Sequence, residues 1–274
     1  ALTNTILFLL VAKSWNALSR TVGSTPNFPE SIMQEAAQRF RDELDRLSSS
    51  QATYLSGALV FIVLFLAAYF LQAGNLFAGY PAWQLWLQTG FLALAGLFAA
   101  WRLGHTILTR RQVRFVCDAN VAIGHQLQQI STGANRIFHD VITSAGIVDH
   151  VLVGQTGIYA VNVVARRNSR NGSAMLDGSG LSFSTRKDHL PLVEITAGTA
   201  RLEKEICRLL GHKVRVRSVI AVPGWDIGVQ TSENHLLVNE RNISMLRGWK
   251  DQSDYLMNED VDALQVELTA RCRR

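Results

Sequence analysis

The distribution of charged positions divides the chain into two regions. From Leu47 to Trp101 there is no Asp, Glu, Lys, Arg or His, and all charges lie outside that stretch. Residues 54–73 match the length of a helix that crosses a hydrocarbon core, which needs about 20 residues. Residues 74–82 contain two Gly and one Pro, which break helices, and residues 83–103 form a second apolar segment. The pattern predicts a transmembrane hairpin over residues 49–105.

Positive charge on both sides of this hairpin predicts its orientation. The flanking basic residues are Lys13, Arg20, Arg39, Arg41, Arg46, Arg102, Arg110, Arg111 and Arg114. Because the loop between the spans has none, the positive-inside rule places both termini and the C-terminal domain in the cytoplasm. We therefore expect a multi-pass protein of the inner (plasma) membrane, with membrane lipid as a partner. The alternative is a helical hairpin buried in a soluble protein.

Residues 1–48 are predicted to form interfacial or amphipathic helices. Leu2 to Ala12 is apolar but too short to cross a bilayer, and a second helix is predicted from Pro29 to Leu47. Apolar residues on this helix recur every three or four positions, at Met33, Ala37, Phe40, Leu44 and Leu47. This stripe fits either a neighbouring helix or the chain's own C-terminal domain. We expect protein partners to bind through residues 1–48 and the hairpin.

Residues 106–274 have the pattern of a cytoplasmic α/β domain. The helix of the second span is predicted to continue to Ile130. Strands are predicted at 136–142, 147–154, 158–165, 181–184, 214–222 and 236–238, and further helices at 192–210, 240–249 and 260–271. This order predicts an α/β fold with a mixed central sheet flanked by helices.

One segment of this domain resembles a known family. Residues 136–167, RIFHDVITSAGIVDHVLVGQTGIYAVNVVARR, are followed by Pro191 with its helix and by the strand VRSVIAV. Over residues 124–238 this order is similar to the nuclease-related domain (NERD) family. The resemblance implies a restriction-endonuclease-like fold of the PD-(D/E)xK type. In that family a Gly-Glu pair precedes the first strand, and the carboxylates of an Asp and of a Glu-x-Lys motif hold a divalent metal that activates water against a phosphodiester. The Lys of Glu-x-Lys places positive charge near the reacting phosphate.

This chain departs from the family pattern at most of those positions. Asp149 matches the metal-binding Asp, but Asn162 and Val164 stand where the Glu and Lys of Glu-x-Lys belong. His125 replaces the Glu of the Gly-Glu pair, and Glu194 replaces a Gln that opens the following helix. Loss of charge-stabilising groups costs orders of magnitude in rate. We therefore expect no catalytic residues, no cofactor and no metal site, with Asp149 as the surviving candidate ligand.

Two alternatives remain for Asp149. In the first, Asp140 and either Arg166 or Arg167 replace the missing groups, and the protein is an active Mg²⁺-dependent nuclease with relocated ligands. In the second, Asp149 is structural, and its carboxylate caps a strand or pairs with an arginine.

A basic cluster surrounds the Gly-, Asn- and Ser-rich passage after the third predicted strand. Its members are Arg166, Arg167, Arg170, Arg186 and Lys187. Such clusters bind the phosphates of nucleic acids. A solvated loop and a contact with the anionic cytoplasmic leaflet are the alternatives.

Other chemistry finds no support in the sequence. The three Cys are far apart, and the seven His show no metal-binding spacing such as HExxH. The sequence thus predicts a pseudoenzyme: a membrane-anchored, degenerate nuclease-like domain that serves as an accessory subunit of a larger inner-membrane assembly. The alternatives are a tethered nucleic-acid-binding protein that does not cleave, and the active nuclease described above.

Overall fold

The computed structural model describes residues 35–73, 82–131, 135–168, 172–184, 186–230, 234–247 and 254–272. The apolar segment Leu2 to Ala12, the start of the helix predicted at Pro29, Met33, most of the turn between the two spans and Arg170 lie outside these residues.

Two long helices form the N-terminal part of the described chain. Helix α1 spans Gln38–Ala73, and helix α2 spans Ala82–Ile130. Each contains a stretch long and apolar enough to cross a membrane. In the most apolar part of this stretch, 0% of the residues of α1 and 11% of those of α2 are buried inside the protein. The core helix of a soluble protein is mostly buried, so this exposure distinguishes α1 and α2 from such helices.

The helices are antiparallel and contact each other through polar side chains near the end of the apolar stretch. Arg110 donates a 2.8 Å hydrogen bond from Nη1 to Gln51 Oε1, and Arg102 donates one of 3.2 Å to Tyr54 Oη. The Arg102 guanidinium also lies 5.6 Å from the centre of the Tyr54 ring. These contacts fix the register of the two helices at the ends of the charge-free stretch.

The start of α1 differs from the sequence prediction. Glu35 to Ala37 are not helical, and the buried Ala37 has a left-handed backbone with φ of 63°. This turn packs against α2, where a Cβ added to Gly124 would lie 2.7 Å from Ala36 Cβ. The helix therefore begins at Gln38, and it continues without the expected break near residue 48 to Ala73.

The C-terminal part contains nine described strands. They are β1 (Arg136–Thr143), β2 (Gly146–Gly154), β3 (Gly157–Val163), β4 (Ser173–Leu176), β5 (Gly180–Phe183), β6 (Arg186–Pro191), β7 (Val216–Ala221), β8 (Asp226–Gln230) and β9 (His235–Val238). Two helices accompany them, α3 (Leu192–Leu210) and α4 (Asn258–Arg271), together with a 3₁₀ turn at Ile243–Arg247.

The central sheet is mixed, as predicted. Its order is β1-β2-β3-β7-β9; β1, β2 and β3 are antiparallel neighbours, whereas β3, β7 and β9 run parallel. Apolar residues of α3 and α4 pack on one face, and those of α2 and the 3₁₀ turn pack on the other. This two-faced burial explains why β3 is almost continuously apolar and why β7 is buried at every position, Arg217 and Ser218 included.

A second sheet, of order β6-β5-β4-β8, was largely missed by the sequence analysis. The passage predicted as loop after residue 168 contains β4, and neither β6 nor β8 was predicted. The buried Trp225 packs with Phe183 and Leu176 in the core that joins this sheet to the central one. The helix predicted at 240–249 is also wrong, because the described residues there form the short 3₁₀ turn.

Candidate functional site

The residues that correspond to the family's metal site lie where β1, β2 and β3 meet the start of α1. In β1 and β2, His139 pairs with His150 and Val141 with Val148, so Asp140 lies opposite Asp149. Asp140 departs from strand geometry, with φ of 52°. The pairing of β2 with β3 places Asn162 next to Asp149 on the other side.

The guanidinium of Arg39 bridges the two carboxylates. Its Nη2 donates to Asp149 Oδ1, and its Nε lies 3.2 Å from Asp140 Oδ1. The backbone N–H of Arg39 also donates to Asp140 Oδ2 at 3.4 Å. Both carboxylates are buried, whereas the arginine side chain is 30% exposed. A cation supplied by the chain itself therefore lies between Asp140 and Asp149, with a hydrogen bond to Asp149 and an ion pair to Asp140.

The second oxygen of Asp149 is also used. Val163 donates its backbone N–H to Asp149 Oδ2 at 2.7 Å, beyond the last backbone pair of β2 and β3 on that side, His150 with Val161. The carboxylate of Asp149 thus accepts the hydrogen bond of a backbone amide that has no backbone partner on β2. Asp149 therefore both caps a strand and pairs with an arginine. These are the two contacts expected if Asp149 has a structural role.

Burial governs the ionisation of this site. Desolvation raises the pKa of Asp149 to about 6, although Arg39 and the Val163 amide oppose the shift by favouring the charged form. Burial also raises the pKa of Asp140, and Arg39 again opposes it. The result is a carboxylate pair whose charge depends on its arginine partner.

Two buried histidines, His139 and His150, are the sequence neighbours of Asp140 and Asp149. The Nδ1 atoms of His139 and His150 lie 2.8 Å apart, and the rings meet edge to face with centres 4.9 Å apart. Burial lowers the pKa of His139 to about 4 and, with the nearby His139 and Arg39, that of His150 to about 3. Both imidazoles are therefore neutral at pH 7, and one Nδ1 donates to the other.

The residues at the other family positions are Asn162, Val164, His125 and Glu194. Asn162 donates from Nδ2 to Thr199 Oγ1 of α3 at 2.9 Å, and both side chains are buried. Val164 packs against the apolar core around Trp225. His125 is exposed on α2 and contacts Gln129, while Glu194 is exposed in the first turn of α3. Asn162 lies next to Asp149 but is bound to Thr199, and no hydrogen bond or ion pair among the described residues joins Val164, His125 or Glu194 to Asp149.

This donor set does not fit a divalent metal. Mg²⁺ needs near-octahedral oxygen ligands, but the oxygens of Asp149 are taken by Arg39 and Val163. A metal ion there would also lie against the positive charge of Arg39. Among the described residues, no group of three or more His, Cys, Asp or Glu could hold a metal ion.

The basic cluster is only partly within the described chain. Arg167 is exposed, and its guanidinium lies 5.7 Å from the centre of the Phe115 ring on α2. Arg166 is half-buried, and its backbone carbonyl accepts a hydrogen bond from the Trp225 indole at 2.9 Å. Arg186 and Lys187 lie on β6, and nothing is described of their side chains. In the described part of the chain, Asp149 pairs with Arg39 and with neither Arg166 nor Arg167.

Sequence comparison agrees with this architecture. Residues 118–223 match the family model of the nuclease-related domain, which confirms the resemblance drawn from the sequence. The matched region runs from the last turns of α2 into the turn after β7 and includes Asp149, Asn162 and Val164. No curated protein and no solved structure matches the chain. Residues 118–223 are therefore similar to the nuclease-related domain.

Proposed function

We propose that this nuclease-related domain is catalytically degenerate, is anchored in the inner membrane by α1 and α2, and acts as an accessory subunit of a larger membrane assembly. The bridging of Asp140 and Asp149 by Arg39 is the observation that supports this proposal most strongly. It gives the remaining carboxylates a partner other than a metal ion.

The apolar surface of α1 and α2 supports the anchor. Large side chains on both helices are exposed, among them Leu59, Ile62, Phe70, Leu94, Leu97 and Phe98. Each helix is long enough to cross a hydrocarbon core about 30 Å thick, and all of its backbone hydrogen bonds are internal. Lipid would cover these side chains, whereas water would leave a large apolar surface unprotected.

The chemistry of the site supports catalytic degeneracy. A phosphodiester hydrolase of this type needs a metal to activate water and a cation to stabilise charge in the transition state. Asn162 is held by Thr199 and Val164 is in an apolar core, so neither replaces the Glu or Lys of the family. Arg39 is positively charged, but its guanidinium donates to Asp149 and forms an ion pair with Asp140.

The continuity of α1 and α2 supports a role in assembly. The helix that supplies Arg39 to the site continues into the first apolar stretch, and the helix that covers one sheet face emerges from the second. The domain is therefore joined to the anchor by helices rather than by a linker. A fixed orientation at the bilayer suits a subunit that positions other proteins.

A cleavage assay on the full chain in nanodiscs tests the degeneracy. DNA and RNA substrates are incubated with Mg²⁺ or Mn²⁺ and with wild-type protein, Asp149→Asn or, as a matched control, the exposed Asp226→Asn. We expect no metal-dependent cleavage that distinguishes wild type from Asp149→Asn. Cleavage that requires Asp149 and is retained by Asp226→Asn would overturn the proposal and favour relocated ligands.

Extraction of the native protein in a mild detergent tests the role in assembly. We expect a stoichiometric complex that survives size-exclusion chromatography. A protein that elutes alone under every mild condition contradicts the accessory role, and nucleic acid in the eluate favours the second candidate below.

Nucleic-acid binding without cleavage is the second candidate. The position of Arg167 over Phe115 favours it, since exposed arginine and aromatic side chains together suit single-stranded nucleic acids. This candidate predicts retardation of RNA or single-stranded DNA that weakens steeply with salt and falls when Arg166 and Arg167 become Ala. The exposed Arg215→Ala, whose guanidinium contacts Asn234, is the control. If neither nucleic acid is retarded at low salt, nucleic-acid binding is eliminated as a candidate function.

A further inference from the structure

A cavity of ≈ 640 Å³ lies beside the first residues of β1. Its walls come from the turn before α1, the last turns of α2 and the start of β1. This volume falls within the range of about 300 to 1,000 Å³ that is usual for small-molecule sites. Neither the Arg39 bridge nor the basic cluster accounts for this cavity.

One side of the cavity is cationic. Arg41 and Arg136 both line it. Arg41 pairs with Glu35, another lining residue. Arg136, the first residue of β1, is exposed and has no ion-pair partner among the described residues. The unneutralised charge in this wall is therefore positive, and an arginine fork suits a phosphate group.

The remaining walls combine hydrogen-bonding and apolar groups. Gln128 of α2 and Asn135 before β1 supply amides, while Val121 and Ile137 supply half-buried apolar surface. A heterocyclic base needs this combination, since its faces are apolar and its edges carry donors and acceptors.

His139 adds a buried polar group to the wall. Its ring is 94% buried, and Nδ1 is used by His150. Within the described part of the chain, its other nitrogen, Nε2, has no hydrogen-bond partner. A low pKa of about 4 keeps this imidazole neutral at pH 7, so it suits hydrogen bonding to a neutral part of a ligand.

We infer that this cavity binds a phosphate-bearing small molecule of nucleotide size, with Arg136 at the phosphate and Val121, Ile137 and His139 around the base. The site would make the domain a ligand-responsive subunit, because the cavity shares Ala36 and Arg41 with the segment that carries Arg39. This inference does not rest on the absence of cleavage.

Equilibrium dialysis or calorimetry on the full chain in phosphatidylcholine nanodiscs tests the inference. The probes are the four ribonucleoside monophosphates, ATP and inorganic phosphate, with adenosine as the probe that lacks phosphate and empty nanodiscs as the background. We expect saturable binding of at least one nucleotide and at least tenfold weaker binding of adenosine.

Variants locate the site. Arg136→Ala is expected to weaken nucleotide binding at least tenfold, and Gln128→Phe, at an exposed helix position, to block the cavity. Arg215→Ala, distant from the lining residues, is expected to bind as wild type. No saturable binding of any probe at millimolar concentration, equal binding of AMP and adenosine, or unchanged binding in both cavity variants would overturn the inference. These outcomes are independent of the nuclease assay.

Discussion

Asp149 is subject to two opposing influences. Burial favours its neutral form and raises its pKa to about 6, while Arg39 and the Val163 amide favour the carboxylate. The same arginine also pairs with Asp140, so one cation serves two buried acids. An arrangement of this kind is costly to break, because removal of one partner leaves uncompensated buried charge.

Substitution of Arg39 tests that arrangement. We expect Arg39→Met to destabilise the domain by about 2 kcal/mol, a value reduced from the usual cost of breaking a buried pair because the arginine is partly exposed. Thermal unfolding of the full chain in detergent, followed by tryptophan fluorescence, measures the effect. Arg46→Met removes an exposed pair with Glu43 and should change stability by less than about 0.5 kcal/mol. Equal melting temperatures for the two variants would contradict the bridge.

The pH dependence of stability gives a second residue-scale prediction. The raised pKa of Asp149 contributes stability that is present at acidic pH and lost as the pH rises through about 6. The lowered pKa values of His139 and His150 act in the opposite sense, since their contribution is lost as the pH falls below 6.5 towards about 4 and about 3. Burial also raises the pKa of Asp140 and lowers that of His235, so three histidines oppose two aspartates. The domain should therefore lose stability between pH 7.5 and pH 4.5.

Asp149→Asn should steepen this acid loss. The variant removes the group whose protonation offsets the histidines, by an amount on the order of 2 kcal/mol. Melting temperatures at pH 7.5 and 4.5 for wild type, Asp149→Asn and Asp226→Asn measure it. A smaller acid loss in Asp149→Asn than in wild type would show that the aspartate titrates in the opposite sense.

The residues that depart from the family motif can be predicted from the sequence, but the arginine that pairs with Asp149 cannot. Asp149, Asn162 and Val164 were identified through the family resemblance, and an arginine partner for Asp149 was one of the stated alternatives. Arg39 itself was noted only as a flanking charge. It lies 110 positions from Asp149, and only the fold brings the two together.

At the element scale, the contact between α2 and the turn before α1 decides where Arg39 lies. Gly124 has no side chain, which allows Ala36 to approach the helix closely. The buried Ala37 then turns the chain so that α1 starts with Arg39 facing Asp140. The Gly of the family's Gly-Glu pair thus retains a packing role here.

Two glycine substitutions on α2 should have opposite effects. Gly124→Ala places a Cβ against Ala36 and should lower the melting temperature, whereas Gly104→Ala meets no atom within 4 Å and should stabilise the helix by up to about 1 kcal/mol. The comparison uses the same helix and the same added methyl group. If Gly124→Ala were as stabilising as Gly104→Ala, the close packing of the turn would be refuted.

Strongly patterned elements were predictable, and weakly patterned ones were not. The boundaries of α3 and the positions of β1, β2 and β3 agree with the prediction, because an amphipathic helix with a Gly stop and long apolar strands give clear signals. Strands β4 and β8 are short, β6 is mostly polar, and β8 pairs with β4, which is distant from it in sequence. Their pattern alone is that of a loop.

At the scale of the whole molecule, α1 and α2 join the proposed anchor to the nuclease-related domain. Arg102 and Tyr54 mark the end of the apolar surface on the two helices, and Arg110 and Arg111 follow within about 13 Å along α2, at a rise of about 1.5 Å per residue. In the proposed anchor, this spacing would place several arginines near the headgroups of the leaflet on the side of the domain.

Topology is testable with C-terminal fusions. We expect a fluorescent-protein fusion to be bright and an alkaline-phosphatase fusion to be inactive, because the positive-inside rule applied to the arginines on both helices predicts a cytoplasmic domain. Reversal of both readouts would place the domain on the opposite side of the membrane.

Membrane extraction tests the central claim most directly. Cells that express the full chain are lysed without detergent, and the particulate fraction is washed with alkaline carbonate and floated on a density gradient. The account predicts that the protein stays with the lipid after the carbonate wash and is released by detergent. Recovery in the supernatant after high-speed sedimentation would contradict the anchor and, with it, the proposed function.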